Sequence, residues 1–328
     1  MLKGKSFFVS GGTGSFGNTL VKFLIETDIA RILCFSRDES KQSQMRIDFP
    51  DERIEFVLGD IRNLETVKRN LENIDYVFHA AALKHVPVSE KTPWEFIQTN
   101  IQGSHNLLQS LMHSSVQKAI FLSTDKAVYP INAMGMTKAL MEKLVRSNDY
   151  RSDTSCSITR YGNVIGSRGS VIPYFIKALK SGKDVSITNP DMTRFMMSLS
   201  ESVELVMFAL EKGNRGDLFI QKSPAATVET ILFAIADLLK IKNPQIKIVG
   251  IRPGEKIHET LLNSEEKSLA EDFGKYFRVP SIGSNTSIPS SSLKDFNEYS
   301  SNNTKLLSKN ELKDLLSSNS EIIELIKN

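Results

Sequence analysis

The stretch "VSGGTGSFGNTL" (Val9 to Leu20) decides how the chain is read. It follows an apolar run, "SFFVS", and opens a segment, "FGNTLVKFLIET", whose apolar residues recur at helical spacing. Gly11, Gly14 and Gly17 therefore lie where a strand turns into a helix. At such a turn a glycine lets the backbone approach an anion, and the free amides and dipole of the helix start meet its charge. A flexible turn is the plainer reading of a glycine pattern. The strand before it and the helix after it favour a pyrophosphate site, with Gly14 at the closest approach.

Outward from that loop the pattern repeats. "RILCFS", "IEFVLGD", "YVFHA" and "AIFLST" are further candidate strands, separated by helical stretches such as "QTNIQGSHNLLQSLMHSS", and "CSITRYGNVIG" supplies a sixth. Continuous rather than alternating apolar strands imply burial on both faces, so the expected fold is α/β, a doubly wound parallel sheet. Residues 1–165 form this nucleotide-binding domain, with later segments returning to it, and residues 166–328 form mainly a smaller substrate lobe and C-terminal extension. The lobe's pieces look too short and interleaved for a core of their own. The Ser/Asn-rich segment near the C-terminus reads as loop followed by one terminal helix, with Ser308 and Glu311 at capping-box spacing.

The 328-residue chain is 40% hydrophobic, and its 41 basic and 38 acidic residues leave a net charge of +3 spread along its length. Such a chain can bury a full core. Its charge balance gives no argument for nucleic acid as a partner, though small anions could be steered to local patches. Cys34 and Cys156 fall in apolar runs and the N-terminus enters a strand directly, which points to a reducing cytoplasm. No run reaches the roughly 18 apolar residues of a membrane span. His79, His85, His105, His113 and His258 show no metal-ligand spacing, and no metal is expected.

The second strand ends in "CFSRDESKQ". An acidic residue there would accept from the ribose hydroxyls of NAD, whereas a basic one would meet the 2′-phosphate of NADP. Ser36, Arg37 and Lys41 favour NADP, with Asp38 the argument for NAD. Asp60 is placed to accept from an adenine amino group, with Ile61 beside the ring.

"FLSTDKAVYPINAMGMTKAL" carries Ser123 and Thr124 at the end of the fifth strand and Lys138 on the next helix. Together with "GGTGSFG", "GDIRN", "HAAALKHVP", "TNIQGSHNL", "RYGNVIGSRGSVIP", "TRFMMS" and "RPGEKIHE", it resembles the extended short-chain dehydrogenase/reductases over nearly the whole chain. In that superfamily a Tyr four residues before the Lys shares its helical face, and the cation lowers the phenol's pKa while holding the nicotinamide ribose. Here that position is Met134. "STDK" is similar to the inverting UDP-N-acetylglucosamine 4,6-dehydratases of flagellar and capsular sugar synthesis, a capsule and O-antigen branch of which carries Met in place of Tyr.

The resemblance implies a Rossmann fold, a cytoplasmic lyase with bound NADP, and homo-oligomers, often hexamers. The implied reaction is 4,6-dehydration with C5 epimerisation to UDP-2-acetamido-2,6-dideoxy-β-L-arabino-4-hexulose, an early step toward amino sugars such as L-FucNAc. Thr124, Asp125, Lys126 and Lys138 would be catalytic. Cofactor contacts would come from Gly11, Gly12, Thr13, Gly14, Ser15, Phe16, Gly17, Ser36, Arg37, Lys41, Asp60, Ile61, Ala80, Ala81, Lys84, Leu122, Ser123 and Lys138.

Residue chemistry supports this reading. Oxidation at C4 acidifies the C5 proton, which a base can then remove. Lys126 can be that base if its amine is partly neutral, and burial, Lys138 and a positive nicotinamide would all lower its pKa from about 10.4. Asp125, held protonated in an apolar cleft, can donate to the departing C6 hydroxyl. Reprotonation of C5 from the opposite face inverts that centre. A thioether has no useful basicity, so Lys126 or Asp125 acting twice is preferred to a water relay for the C4 hydroxyl proton. Tyr129 lies on a loop ahead of the helix and reads as packing beside Pro130.

Lys84 is placed by the resemblance near the nicotinamide ribose or the sugar. Asn163, Arg168, Val171, Arg194, Arg252 and Glu255 complete the candidate substrate set. Guanidinium groups suit a diphosphate, a backbone amide at Val171 could meet uracil, and Glu255 could accept from ribose hydroxyls. Two other functions stay open: 4-epimerisation of a UDP-sugar, which releases no water, and a non-catalytic nucleotide-binding scaffold, which would need neither Asp125 nor Lys126.

Overall fold

The computed structural model describes residues 2–147, 149–150, 152–167, 169–281 and 297–327. Its first half alternates β1 (Ser6–Ser10), β2 (Arg31–Ser36), β3 (Ile54–Leu58), β4 (Tyr76–His79), β5 (Lys118–Thr124) and β6 (Ser155–Tyr161) with helices. These are α1 (Ser15–Ile25), α2 (Glu39–Asp48), α3 (Leu64–Arg69), the short α4 (Val86–Ser89) and α5 (Pro93–Phe96), α6 (Gly103–Leu111) and α7 (Ala133–Arg146). A π-helical turn over Ile97–Gln102 leads into α6, and a 3-10 turn over Asp125–Ala127 follows β5. The second half runs through α8 (Val171–Lys180), β7 (Val185–Ile187), β8 (Thr193–Phe195), α9 (Leu199–Lys212), β9 (Leu218–Gln221), β10 (Ala225–Thr227), α10 (Val228–Leu238) and β11 (Ile246–Ile248). It ends with β12 (Thr260–Leu262), α11 (Ser264–Leu269), β13 (Glu271–Asp272), β14 (Tyr276–Val279), β15 (Tyr299–Ser300), α12 (Lys309–Ser317) and α13 (Ser320–Lys327).

The central sheet has the order β13-β14-β9-β6-β5-β4-β1-β2-β3. Pairing is parallel from β9 to β3, and β14 and β13 close one edge antiparallel. This is the doubly wound α/β sheet that the continuous apolar strands predict. Successive residues feed opposite faces: Phe8, Leu33, Phe121 and Ile158 pack with Leu107 and Met141, while Phe7, Val9, Ile32 and Ile120 pack with Leu20, Leu24, Val206 and Leu210. Each fully buried side chain of this kind contributes about 1.5–3 kcal/mol. The chain runs outward from β1 to β3 and returns to β4, so a crevice opens between β1 and β4 at the carboxyl ends of the strands.

One expectation fails in the lobe. Its short pieces do share an apolar core, in which Ile172, Phe175 and Ile176 of α8 meet Ile231, Leu232 and Ile235 of α10 and Leu312, Leu316 and Ile322 near the C-terminus. Local runs concealed it because each contributes only one face. The predicted capping box at Ser308 and Glu311 forms, but the terminal helix is two helices. Asn319 separates them, its side chain accepting from the backbone N–H of Ile322. Among the described residues no helix is long and apolar enough to cross a membrane.

Candidate active site

The glycine loop is shaped by contacts that no side chain would allow. Gly11 has φ of +70°, and a Cβ there would lie 2.7 Å from the Ala81 nitrogen. At Gly17 a Cβ would lie 2.5 Å from the Gly12 Cα, so the helix start can sit close under the loop. Gly14 caps α1 in extended geometry without a side-chain bond, leaving the helix amides to a ligand.

Two cavities, each of about 660 Å³, meet at this loop and share Gly11, Gly14, Ser15, Ala80 and Lys84. The first gathers Thr13, Ser36, Arg37, Lys41, Ile61 and Ala81. Asp38 also lines it, but caps α2 at the Lys41 amide and pairs with the Lys41 ammonium. Asp60 does not line the cavity: Arg62 binds its carboxylate and Arg37 lies 3.5 Å away. Those guanidiniums hold Asp60 below the usual carboxylate range, against the opposing effect of partial burial, which is the largest single influence. Gly12 lies beneath the loop, where a Cβ would strike the Cys34 sulfur.

The second cavity brings together Phe16, Gly17, Leu122, Ser123, Thr124, Lys126, Met134, Lys138, Asn163 and Val171. Asn163 Oδ1 and Ser170 Oγ are buried on its wall without hydrogen-bond partners among the described residues, as acceptors awaiting a ligand would be. The fit for a dinucleotide is therefore a cradle of bare backbone amides at one end and orphaned polar atoms at the other.

Met134 and Lys138 stand one turn apart on α7, both buried. Burial lowers the Lys138 ammonium to about 8, with Glu142 opposing the shift. Thr124 ends β5, and its hydroxyl donates to Asp125 Oδ1 at 2.8 Å. Lys126 Nζ lies 3.0 Å from the same oxygen and 3.2 Å from Oε1 of Glu259. Asp125 is fully buried and does not itself line the cavity, so Thr124 and Lys126 stand between it and any sugar. Burial raises the Asp125 carboxyl and the Glu259 charge adds to the rise, while Lys126 only partly offsets it. Its surroundings thus shift Asp125 in the direction of the protonated form expected from sequence.

For Lys126 the electrostatics run against expectation. Burial alone would depress it, but Asp125 and Glu259 together outweigh burial and raise it, so the resting side chain is an ammonium. Glu259 is the site residue that sequence reasoning missed. It belongs to "RPGEKIHE", where Arg252 and Glu255 drew the attention, and a chain turn anchored at α7 delivers it. Asn132 caps α7 through its Oδ1 and donates from Nδ2 to the Gly254 carbonyl at 2.9 Å, while Lys256 reaches the Val128 carbonyl.

The other lobe candidates lie elsewhere. Arg194 lines neither cavity, because its guanidinium donates to the carbonyls of Thr193, Lys256 and Ile257. Arg252 is exposed and pairs with Glu255 at 3.7 Å. Arg168 lies outside the described residues. Tyr129 is exposed with φ of 45° and lines neither cavity. His79 is buried between the hydroxyls of Ser10 and Ser104 and pushed by burial to about 3, a neutral structural ring. No group of side chains suited to a metal ion occurs among the described residues.

Comparison with known proteins agrees with this architecture. Residues 7–281 match the family described as polysaccharide biosynthesis protein. A protein of Rickettsia bellii named UDP-glucose 4-epimerase is 46% identical over the whole of both chains. Pen from Bacillus thuringiensis superimposes with a TM-score of 0.90 at 33% identity, covering 98% of this chain and 99% of that one. DesIV of Streptomyces venezuelae, a dTDP-glucose 4,6-dehydratase solved with NAD bound, shares the fold at a TM-score of 0.72 and 22% identity, over 77% of this chain and 86% of its own. The chain belongs to the polysaccharide biosynthesis protein family, alongside relatives named UDP-glucose 4-epimerase.

Proposed function

We propose that the protein removes water across C4 to C6 of UDP-N-acetylglucosamine and inverts C5, using NADP. The observation that carries this reading is the buried acid Asp125 beside the part-exposed cation Lys126, which lines the cavity with Thr124 where Met134 stands in place of a phenol. Epimerisation at C4 needs one proton acceptor for one hydroxyl. Elimination needs a proton taken from C5 and another delivered to the C6 oxygen, and this pair serves both ends.

A bound nicotinamide would supply the hydride acceptor and donor for C4 and C6. Arg37, which lines the first cavity, would meet the 2′-phosphate, and Lys138, in the second, would hold the nicotinamide ribose. Lys126, charged at rest, works by relay: as Asp125 passes its proton through the Thr124 hydroxyl to the departing C6 oxygen, Lys126 returns one to Asp125 and takes the C5 proton. One proton leaves carbon, one reaches oxygen, and the pair is restored. The Val171 amide is assigned to the uridine end, and a homo-oligomer is the expected assembly.

The relatives named UDP-glucose 4-epimerase favour a second reading, C4 epimerisation without loss of water. Purified protein incubated with UDP-N-acetylglucosamine separates the two by the mass of the sugar. The expected product is one water lighter with a methyl signal at C6 by NMR; an isomer of unchanged mass would establish the epimerase instead.

A further inference from the structure

We propose that Glu259 holds the proton that the C4 hydroxyl sheds on oxidation, a positioning residue that does not line the sugar cavity and acts through Lys126. The inference rests on the nucleotide-sugar oxidation at C4 proposed above, and deepens it by supplying the acceptor that Met134 cannot be.

The proton must go somewhere when a hydroxyl becomes a ketone, because the hydride leaves without it. Among the groups around Lys126, burial and the Glu259 charge shift Asp125 away from the acceptor form, and Met134 has no basic atom. Glu259 is only 3% exposed, 3.2 Å from Lys126 Nζ, and its Oε2 is buried with no partner among the described residues, leaving acceptor capacity in reserve. Its charge is maintained from three elements: Lys126 on the turn after β5, Arg194 on β8 with Nε at 3.9 Å, and Lys256 on its own loop. These cations hold Glu259 below the usual carboxylate range despite burial, so it is the ionised carboxylate of the cluster. Its backbone is fixed as well, since the Ser301 hydroxyl accepts from the Glu259 N–H and bonds Thr193, which in turn meets His258.

The transfer balances. As the C4 hydride departs, the C4 hydroxyl proton moves to Lys126 Nζ and a Lys126 proton moves to Glu259. Lys126 remains an ammonium, Glu259 becomes neutral, and the stored proton passes to solvent once the product has left, while C5 takes its new proton from solvent on the opposite face. Glu259 thereby takes the part that a phenolate plays on the cavity wall of relatives with tyrosine.

The test compares Glu259→Gln and Glu259→Asp with the parent protein carrying its cofactor. On mixing with UDP-N-acetylglucosamine, absorbance of the reduced nicotinamide reports C4 oxidation directly. Glu259→Gln should slow that step by about 10²–10⁴-fold, with UDP affinity unchanged within about threefold, and Glu259→Asp should recover most of it. Oxidation at the parental rate in Glu259→Gln would overturn the proposal. Because epimerisation and dehydration both begin at C4, an epimerised product would end the dehydratase reading while leaving this result intact.

A readout independent of turnover comes from infrared spectra of the resting protein. A protonated carboxyl band should be present at neutral pH, vanish in Asp125→Asn, and vanish also in Glu259→Gln, where Asp125 ionises as the remaining counter-ion of Lys126. Absence of that band from the parent protein would overturn the proposal even if Glu259→Gln failed to fold.

Discussion

Two buried clusters in this molecule each set a cation between two carboxylates, and they are finished very differently. Behind the cofactor side of α7, Arg160 donates from Nε and Nη2 to Glu142, from Nη1 and Nη2 to Glu266, and from Nη1 to the Leu261 carbonyl, while the Ser123 hydroxyl donates to Glu142. All donors of that fork are used. At the sugar cavity Lys126 offers a compact point charge to Asp125 and Glu259, and one oxygen of each carboxylate stays without a partner among the described residues. A planar guanidinium saturates and fixes; an ammonium leaves capacity for protons to move. The first cluster clamps β5, β6, α7 and α11 together, and the second is chemically unfinished, which is the condition of a working site.

Exchanging the cations for methionine should break the two clusters in opposite ways. Lys126→Met should lower formation of the keto sugar by about 10³-fold or more while its melting temperature stays within a few degrees. Arg160→Met strands two buried carboxylates and should cost about 3–5 kcal/mol of stability, read as a fall in urea midpoint. A Lys126→Met protein that melts early, or an Arg160→Met protein as stable as its parent, would erase the distinction.

A subtler change tests how tightly the working cluster is held. At Gly135 a Cβ would lie 2.2 Å from the Lys126 carbonyl, so Gly135→Ala must push the turn away from α7. A displacement near 1 Å costs up to about 10²-fold in rate, and turnover should fall by that order while cofactor affinity holds.

The smallest effect concerns Lys138, one turn before Glu142 on α7. Its pKa of about 8 is lowered, so the ammonium is present below that pH and lost above it. Cofactor affinity measured by fluorescence should therefore weaken by up to about tenfold as pH rises through 8, the loss of one charge-assisted bond, and Lys138→Met should show no such limb.

The parts of this site that sequence made legible are those written in consecutive residues. The loop from Gly11 to Gly17, the strand ends at Ser36 and Thr124, and the helical register of Met134 and Lys138 depend on local spacing, and the fold places them together. Glu259 was invisible because only the packing of β12 near the turn after β5 brings it to Lys126, and nothing in "RPGEKIHE" marks it from its charged neighbours. The charge on Lys126 was misjudged for the same reason: its second counter-ion comes from another segment. Arg194 misled in the other direction, since a guanidinium that suits a diphosphate equally suits the backbone carbonyls it actually binds.

The close fit of Gly135 against the Lys126 carbonyl has a consequence for how such proteins diversify. The side chain at 134 faces a cavity and can be exchanged for another of similar length, whereas its neighbour admits no atom at all. In a saturation library scored for active clones, position 134 should return several amino acids and position 135 a single one, so the loss of a phenol is an accessible drift and the loss of the adjacent hydrogen is a dead end.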